Sequence, residues 1–197
     1  MGSARRTTEE RRLELIEAAL AELAVTPLSA LSTRQLARRL GVSQPALFRH
    51  FRSREALLTA TAEHALATMR AAVAPAMALR EGSQPRLRAL ARALAQLVEA
   101  EPGLSRLLFA RPSPAEPKLL AALGNLADGQ RALARTLVAE GQAEGAVAAQ
   151  SSTADAALLF VGMMQGAIAA WHRGAQLADG ERFELVEQVD RLFSLWW

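Results

Sequence analysis

The sequence predicts an all-helical protein, and two observations carry that prediction. Aromatic residues make up only 5% of the 197 residues, and no segment alternates apolar with polar residues as a half-buried strand does. Helix-start signals, by contrast, recur along the chain and are followed by apolar residues three and four positions apart. We predict an all-α fold with an N-terminal three-helix domain in residues 1–54, which a long helix joins to a C-terminal helical domain in residues 55–197.

Each of the first four helices is predicted to begin at a hydroxyl-bearing capping residue. These caps are Thr7, Ser32, Ser43 and Ser53. Glu10 and Gln35 stand three positions after the first two caps, which predicts a capping box at each. Pro27 is expected to end the first helix. The long fourth helix is expected to run from Arg54 until Pro75 disturbs or ends it, because a proline inside a helix removes a hydrogen bond.

The rest of the chain is rich in Ala and Leu and predicts five further helices. Their expected spans are Pro85–Glu101, Gly103–Ala110, Pro117–Glu140, Ala154–Arg173 and Glu181–Trp197. The clearest break among them is the loop Arg111–Pro117, which holds three prolines.

Composition excludes several kinds of site. Because the chain has no cysteine and three histidines, we expect no Cys/His zinc site, thiol nucleophile or disulfide, and a reducing cytoplasm as the compartment. The polar stretch Met1–Glu10 does not predict a signal peptide. The most apolar stretch, Ala156–Trp171, is shorter than the roughly 20 residues of a membrane span and is interpreted as a buried core helix. No metal, cofactor or membrane partner is expected.

The second and third helices have the dimensions of a helix-turn-helix, in which the second helix of the pair enters the DNA major groove. Gly41 stands where the turn between them needs a left-handed residue. Ala37 supplies a small residue where the helices cross. The apolar residues expected to face inward are Leu36, Leu40, Val42, Leu47 and Phe51. The inner and outer faces of the pair therefore separate cleanly.

Positive charge is concentrated in the same part of the chain. Residues 1–54 hold ten arginines against five glutamates, whereas residues 55–197 hold 13 basic and 15 acidic residues, and the whole chain carries +3. The stretch Thr33–Arg54 contains six arginines and no acid, as expected where a surface neutralises phosphates. A solvated basic face in an ordinary helical bundle is the alternative interpretation.

The outward side chains of the pair suit both positioning on DNA and base recognition. Arginine binds guanine in a bidentate manner, glutamine binds adenine, and alanine contacts the thymine methyl group. The predicted outward set is Thr33, Arg34, Gln44, Ala46, Phe48, Arg49 and His50. For His50, a purely structural role is an equal alternative.

The segment Leu31–Leu58, LSTRQLARRLGVSQPALFRHFRSREALL, closely resembles the DNA-binding signature of the tetracycline-repressor (TetR) family of bacterial regulators. The resemblance implies that Arg54 takes the place of a phosphate-binding lysine. It implies the following DNA-binding set: Thr33, Arg34, Ser43, Gln44, Pro45, Ala46, Phe48, Arg49, His50 and Arg54. Phe48 departs from the pattern, since the family usually has tyrosine there, and it lacks the hydroxyl that would bond to phosphate.

The apolar helix of the C-terminal half is expected to be covered on more than one side. Small residues on it would let another helix approach closely, and the last helix offers apolar residues beside them. The predicted subunit interface comprises Gly162, Gly166, Ala170, Phe183, Val186 and Phe193. A two-fold four-helix interface would bury both helices, as the resemblance also implies.

The resemblance also implies a small-molecule pocket in the C-terminal half. Its predicted lining is Arg106, Phe109, Val161, Met164, Gln165, Ile168, Trp171 and His172. For each of these residues, a place in the ordinary hydrophobic core is the alternative interpretation.

The leading hypothesis is a cytoplasmic, homodimeric transcription regulator that represses from a palindromic operator on double-stranded DNA. A small apolar or weakly anionic effector would release it. The alternative is a TetR-fold DNA-binding protein controlled by a protein partner. An enzyme is not expected, because the sequence offers no metal-site spacing, phosphate-binding loop or serine with an evident base.

Overall fold

In the computed structural model of the chain, residues 7–150, 152–174 and 184–196 are described. They form nine α-helices and one 3-10 turn, with no strand among them, which confirms the all-α prediction. The elements are α1 (Thr8–Leu23), the 3-10 turn (Leu28–Ala30), α2 (Thr33–Arg39), α3 (Gln44–His50), α4 (Arg54–Ala78), α5 (Ser83–Ala100), α6 (Pro102–Leu108), α7 (Pro117–Ala143), α8 (Thr153–His172) and α9 (Leu185–Trp196).

Three of the four predicted caps form side-chain hydrogen bonds. Thr7 and Glu10 make the full capping box of α1, and the hydroxyls of Ser43 and Ser53 accept backbone N–H bonds at the starts of α3 and α4. The capping box predicted at Ser32 is wrong, because this residue holds the N-cap position of α2 without a side-chain bond. A capping motif therefore locates a helix start better than it predicts the bond.

The positions of prolines predicted helix ends less well than the capping residues predicted helix starts. The helix α1 ends at Leu23, four residues before Pro27, because the last turn closes on Ala24 and Val25 through backbone bonds to residues 21 and 22. The prediction that Pro75 could end α4 is wrong, since the helix continues to Ala78. Pro75 removes one N–H donor, and the remaining backbone bonds of the last turn carry the helix past it.

The chain divides into two compact units. The first comprises Met1–Ala67 with Glu101–Leu126, and the second comprises Thr68–Ala100 with Ala127–Trp197. DNA binding by residues 1–54 stays a prediction, as do effector binding and dimerisation by residues 55–197.

In the first unit, α1, α2 and α3 surround a common apolar core. Its fully buried members are Leu15, Ala19, Leu36, Ala37, Leu47, Phe51 and Leu57. Helix α6 lies against α1 in the same unit, and the two backbones approach closely at Gly103. A Cβ atom added to Gly103 would overlap the backbone carbonyl group of Leu20. The absence of a side chain at Gly103 is therefore what lets α6 pack on α1.

In the second unit, two glutamate side chains accept hydrogen bonds from the N-terminal ends of two helices. Glu99 on α5 accepts the N–H bonds of Leu185 and Val186, 2.8 and 3.3 Å away, and so caps the start of α9. Glu144 accepts bonds from the backbone and hydroxyl of Ser83 at the start of α5. These two hydrogen bonds lower the pKa of the Glu144 carboxyl below its usual value.

Helix α8 of the second unit has two contrasting faces. One face lies in the core of that unit through Ala156, Ala157, Phe160, Val161, Met164, Ala167 and Ile168. On the other face, Leu158 and Leu159 are 61% and 64% exposed, and Gly162 and Gly166 are also exposed. By length and composition α8 would pass as a membrane span, but its buried face marks it as the core helix of this unit. The predicted burial is thus confirmed for one face only.

We predict that Gly103→Ala destabilises the first unit by about 2 to 3 kcal/mol, because the new methyl group must push α6 away from α1. Gly124→Ala in α7 is the matched control. Nothing lies within 4 Å of an added Cβ there, so removing a helical glycine should stabilise the protein by up to about 1 kcal/mol. Denaturant unfolding measures both, and equal stabilities would contradict the close approach of α6 to α1.

Candidate DNA-binding site

The turn between α2 and α3 has the backbone geometry that the sequence predicts. Gly41 lies in the left-handed region with φ of +63°, which residues with a side chain rarely adopt. The Val42 N–H donates to the carbonyl of Ala37 at 2.9 Å, which closes the turn. Ala37 is buried where the two helices meet. These contacts fix α3 relative to α2.

The inner face of the pair is buried as predicted. Leu36 and Leu47 are fully buried and Phe51 is 2% exposed, while Leu40 and Val42 are partly buried against the same core. Leu47 and Phe51 are four positions apart, so they lie on one side of α3 and its continuation. The opposite side of α3 is therefore turned to solvent.

The predicted DNA-binding residues lie on that outer surface to different degrees. Five of them are exposed: Arg34, Ser43, Pro45, Phe48 and Arg49. The other five are partly buried: Thr33, Gln44, Ala46, His50 and Arg54. Their function stays a prediction, but the exposed set forms the surface that a DNA duplex could reach.

Two of the partly buried residues, Thr33 and Gln44, form a hydrogen bond with each other. The side-chain amide of Gln44 donates to the hydroxyl of Thr33 at 3.2 Å, which joins the N-terminal ends of α3 and α2. This bond uses one amide hydrogen of Gln44. Its carbonyl oxygen and second hydrogen are the groups that adenine recognition requires.

The basic surface is wider than the predicted set. Arg34, Arg38, Arg49 and Arg52 are exposed, and none of them makes an ion pair within the described part of the chain. Arg39 differs, because it pairs with Glu22 of α1. Arg38 and Arg52 were missed as candidates, although both lie in the acid-free stretch that the charge count had singled out. Four unpaired guanidinium groups give this face the charge that phosphates require.

The guanidinium group of Arg54 makes three hydrogen bonds within the protein. Its Nε donates to the carbonyl of Leu31 at 3.1 Å, one terminal nitrogen donates to the carbonyl of Leu28, and the other pairs with Glu116. The side chain thus ties the start of α4 to the chain segment that precedes α2. The adjacent Glu55 accepts the N–H of Lys118 at 2.8 Å, next to this cluster. A phosphate contact by Arg54 stays a prediction, and its internal bonds had no signal in the sequence.

The predicted effector residues are divided between the two compact units. Arg106 and Phe109 belong to the first unit, where Phe109 is exposed and the Arg106 Nε is buried without a hydrogen-bond partner. In the second unit, Val161, Met164 and Ile168 are buried in the core. Gln165, Trp171 and His172 are partly buried. The ring centroids of Trp171 and His172 lie 5.1 Å apart.

The predicted interface residues also have different environments. Gly162 and Gly166 are exposed, and nothing lies within 4 Å of a Cβ added to either. Ala170 and Val186 are partly buried against the core of the second unit. Phe193 is buried there with its ring 6.1 Å from that of Phe160, so the protomer itself uses it. Phe183 lies outside the described residues.

Two family profiles match the chain in succession. The first, described as bacterial regulatory proteins of the tetR family, covers residues 15–61 and contains the whole helix-turn-helix. The second, described as a tetracyclin repressor-like C-terminal domain, covers residues 81–175. The chain belongs to the TetR family. It is therefore a DNA-binding transcription regulator, as the segment Leu31–Leu58 predicted.

Individual TetR-family relatives agree with this assignment. The tetracycline repressor protein class A from transposon 1721 of Escherichia coli is 55% identical over 53 residues, which are 27% of this chain and only 24% of that protein. The chain thus matches about a quarter of the length of this relative.

Solved structures of the same fold match nearly the whole chain. The fatty acid degradation regulator FadR from Bacillus halodurans has a TM-score of 0.79 at 17% identity, covering 98% of this chain and 96% of that one. FadR from Bacillus subtilis, solved in complex with stearoyl-CoA, has a TM-score of 0.77 at 16% identity, with 93% and 96% covered. At these identities the likeness concerns the fold.

Arg54 should contribute measurably to the stability of this TetR-family protein. Arg54→Ala removes the donor to the Leu31 carbonyl and to the Glu116 carboxylate, and one of the two donors to the Leu28 carbonyl, so the free energy of unfolding should fall by about 2 kcal/mol. Glu116→Gln removes only the partly exposed ion pair and should cost about 1 kcal/mol or less. Arg52→Ala, at an exposed and unpaired arginine, is the control. If Arg54→Ala unfolds at the same denaturant concentration as Arg52→Ala, the internal role of Arg54 is wrong.

Proposed function

We propose that this TetR-family protein is a cytoplasmic, homodimeric repressor that binds a palindromic operator and leaves it when a small-molecule effector binds. The observation that carries the proposal is the outer face of α3, whose exposed side chains lie among four unpaired arginines. Such a face supplies both the phosphate contacts that position a protein on DNA and the base contacts that select a sequence.

The positions of the residues on the outer face suggest two roles, base recognition and phosphate binding. Arg49 and Gln44 lie on α3 itself, where side chains reach base edges in the major groove. Arg34, Arg38 and Arg52 lie on α2 and after α3, where the flanking phosphates run. Phe48, 36% exposed, would pack against the sugar-phosphate edge. We infer that Arg49 and Gln44 determine sequence preference and that the other arginines supply affinity.

A dimer is proposed because a seven-residue helix reads too few bases to specify a site alone. The exposed face of α8 suits self-association, since two adjacent leucines stand beside two glycines over which a second helix could pack closely. We therefore base the proposed interface on Gly162 and Gly166, with Leu158 and Leu159 beside them.

Acyl-CoA thioesters are the first effectors to test. A neighbour of the same fold, FadR from Bacillus subtilis, was solved with stearoyl-CoA. In this chain, the Arg106 Nε is buried without a partner, and an anionic effector would satisfy that guanidinium group. Control by a protein partner is the second candidate, and the burial of Val161, Met164 and Ile168 favours it, because these side chains already pack in the core of the second unit.

The proposal is tested by selecting an operator from random duplexes and then titrating it with acetyl-, octanoyl- and stearoyl-CoA. We expect a palindromic consensus and a 5- to 150-fold weaker operator affinity with one thioester, for a coupling of about 1 to 3 kcal/mol. Free coenzyme A is the control. A consensus without two-fold symmetry contradicts the dimeric repressor. If the palindrome is found but no thioester weakens binding, control by a protein partner becomes the better account.

Gly166→Leu should weaken the dimer and leave the protomer folded. Within the protomer nothing lies within 4 Å of the new Cβ, and a helical glycine is removed, so thermal stability at high dilution should not fall, whereas two packed α8 helices would be forced apart. Gly124→Leu, another exposed helical glycine with open space, is the control. Sedimentation at a series of concentrations measures assembly. Equal dimer dissociation constants for the two variants would show that the α8 face is not the interface.

A further inference from the structure

A side chain outside the helix-turn-helix reaches the C-terminal end of the recognition helix. Arg12, in the second turn of α1, donates from a terminal nitrogen to the backbone carbonyl of His50, 2.5 Å away. The carbon of the same guanidinium lies 4.3 Å from the centre of the Phe51 ring. His50 is the last residue of α3, and Phe51 is its C-cap. Arg12 therefore makes a hydrogen bond and a cation–π contact at one helix end.

The end of α3 is where such a side chain has the greatest effect. The last carbonyls of a helix have no intrahelical partner, and the helix dipole favours a positive charge beside them. With seven residues, α3 is far too short to be stable alone. Its apolar contacts through Leu47 and Phe51 hold it to the core, but hydrophobic contacts are not directional.

Directional bonds therefore have to fix the rotation and axial position of α3. At its N-terminal end, Gln44 donates to Thr33 of α2. At its C-terminal end, Arg12 of α1 bonds to the His50 carbonyl. The phenyl ring under the guanidinium is 2% exposed, so it packs in the core of the first unit while one of its faces meets Arg12. The two bonds together define the direction in which the outer face of α3 points.

We propose that Arg12 is a positioning residue for DNA recognition, which fixes the C-terminal end of α3 through the His50 carbonyl and the Phe51 ring. It acts on how α3 is placed and not by contacting the duplex. Loss of Arg12 then affects base recognition, which requires accurate placement, more than phosphate attraction, which does not. This inference rests on DNA recognition by α3, as the proposed function has it.

The test compares Arg12→Ala with Arg11→Ala, which removes the same charge one residue earlier, from an arginine that pairs with Glu14. Affinities for the selected operator and for a random duplex are measured over a series of salt concentrations. We expect Arg12→Ala to weaken operator binding about 10-fold, or about 1.4 kcal/mol. Random-duplex affinity should change less than 2-fold, and the salt slope should equal that of Arg11→Ala. Arg12→Lys, which keeps a charged donor, should recover most of the loss.

Amide hydrogen exchange of the free protein gives a second readout that needs neither an operator nor DNA. In Arg12→Ala, the amides of Leu47 and Phe51 should exchange at least 5-fold faster, while those of α4 should not. If Arg12→Ala does not fold, Arg12→Met replaces it in both measurements, because methionine keeps an unbranched apolar side chain and lacks the donor to the His50 carbonyl. Unchanged exchange in α3 overturns the proposal even if no operator is found. A salt slope smaller by about 0.9, with equal losses on both duplexes, also overturns it, because it indicates a direct phosphate contact.

Discussion

Burial of Leu47 and Phe51 against α1 and α2 is the interaction on which the DNA-binding surface depends. A seven-residue helix does not persist in water, so α3 exists because its inner side completes a core with residues such as Leu15 and Leu36. Once that side is buried, helical periodicity turns the other side outward, and the bonds of Gln44 and Arg12 fix its direction more closely. The same burial thus determines both the stability of α3 and the identity of the residues that face DNA.

The helix starts, the turn and the two faces of the helix-turn-helix could be predicted from the sequence, because they follow from local rules. Apolar residues at helical spacing indicated the inner face, the caps located four helix starts, and Gly41 marked the turn, where it has a positive φ. The excess of arginine over acidic residues in the stretch Thr33–Arg54 indicated the basic face. Each of these signals depends on residues within a few positions of one another, and the TetR signature combines them in a single segment.

What the sequence could not supply depends on partners distant in the chain. The bonds of Arg54 to Glu116 and of Arg12 to His50 join residues 62 and 38 positions apart, and no spacing rule predicts them. The role of Gly103 appears only when α6 is placed on α1. Arg54 illustrates the consequence, because its place in the signature implies a phosphate contact, whereas in the structure its guanidinium bonds to the chain itself. For the C-terminal half, apolar composition did not distinguish the buried from the exposed face of α8.

We propose that the outer face of α3 lies in the major groove of two symmetric half-sites. The chain has no cysteine, so Phe48→Cys introduces a single thiol on that face, to which a photoreactive cross-linker can be attached. Leu120→Cys, on an exposed position of α7, is the control. We expect cross-links from position 48 to bases at two symmetric positions about one helical turn, or a multiple, apart, and none from position 120. Cross-links at a single position, or equal yields from both variants, would contradict it.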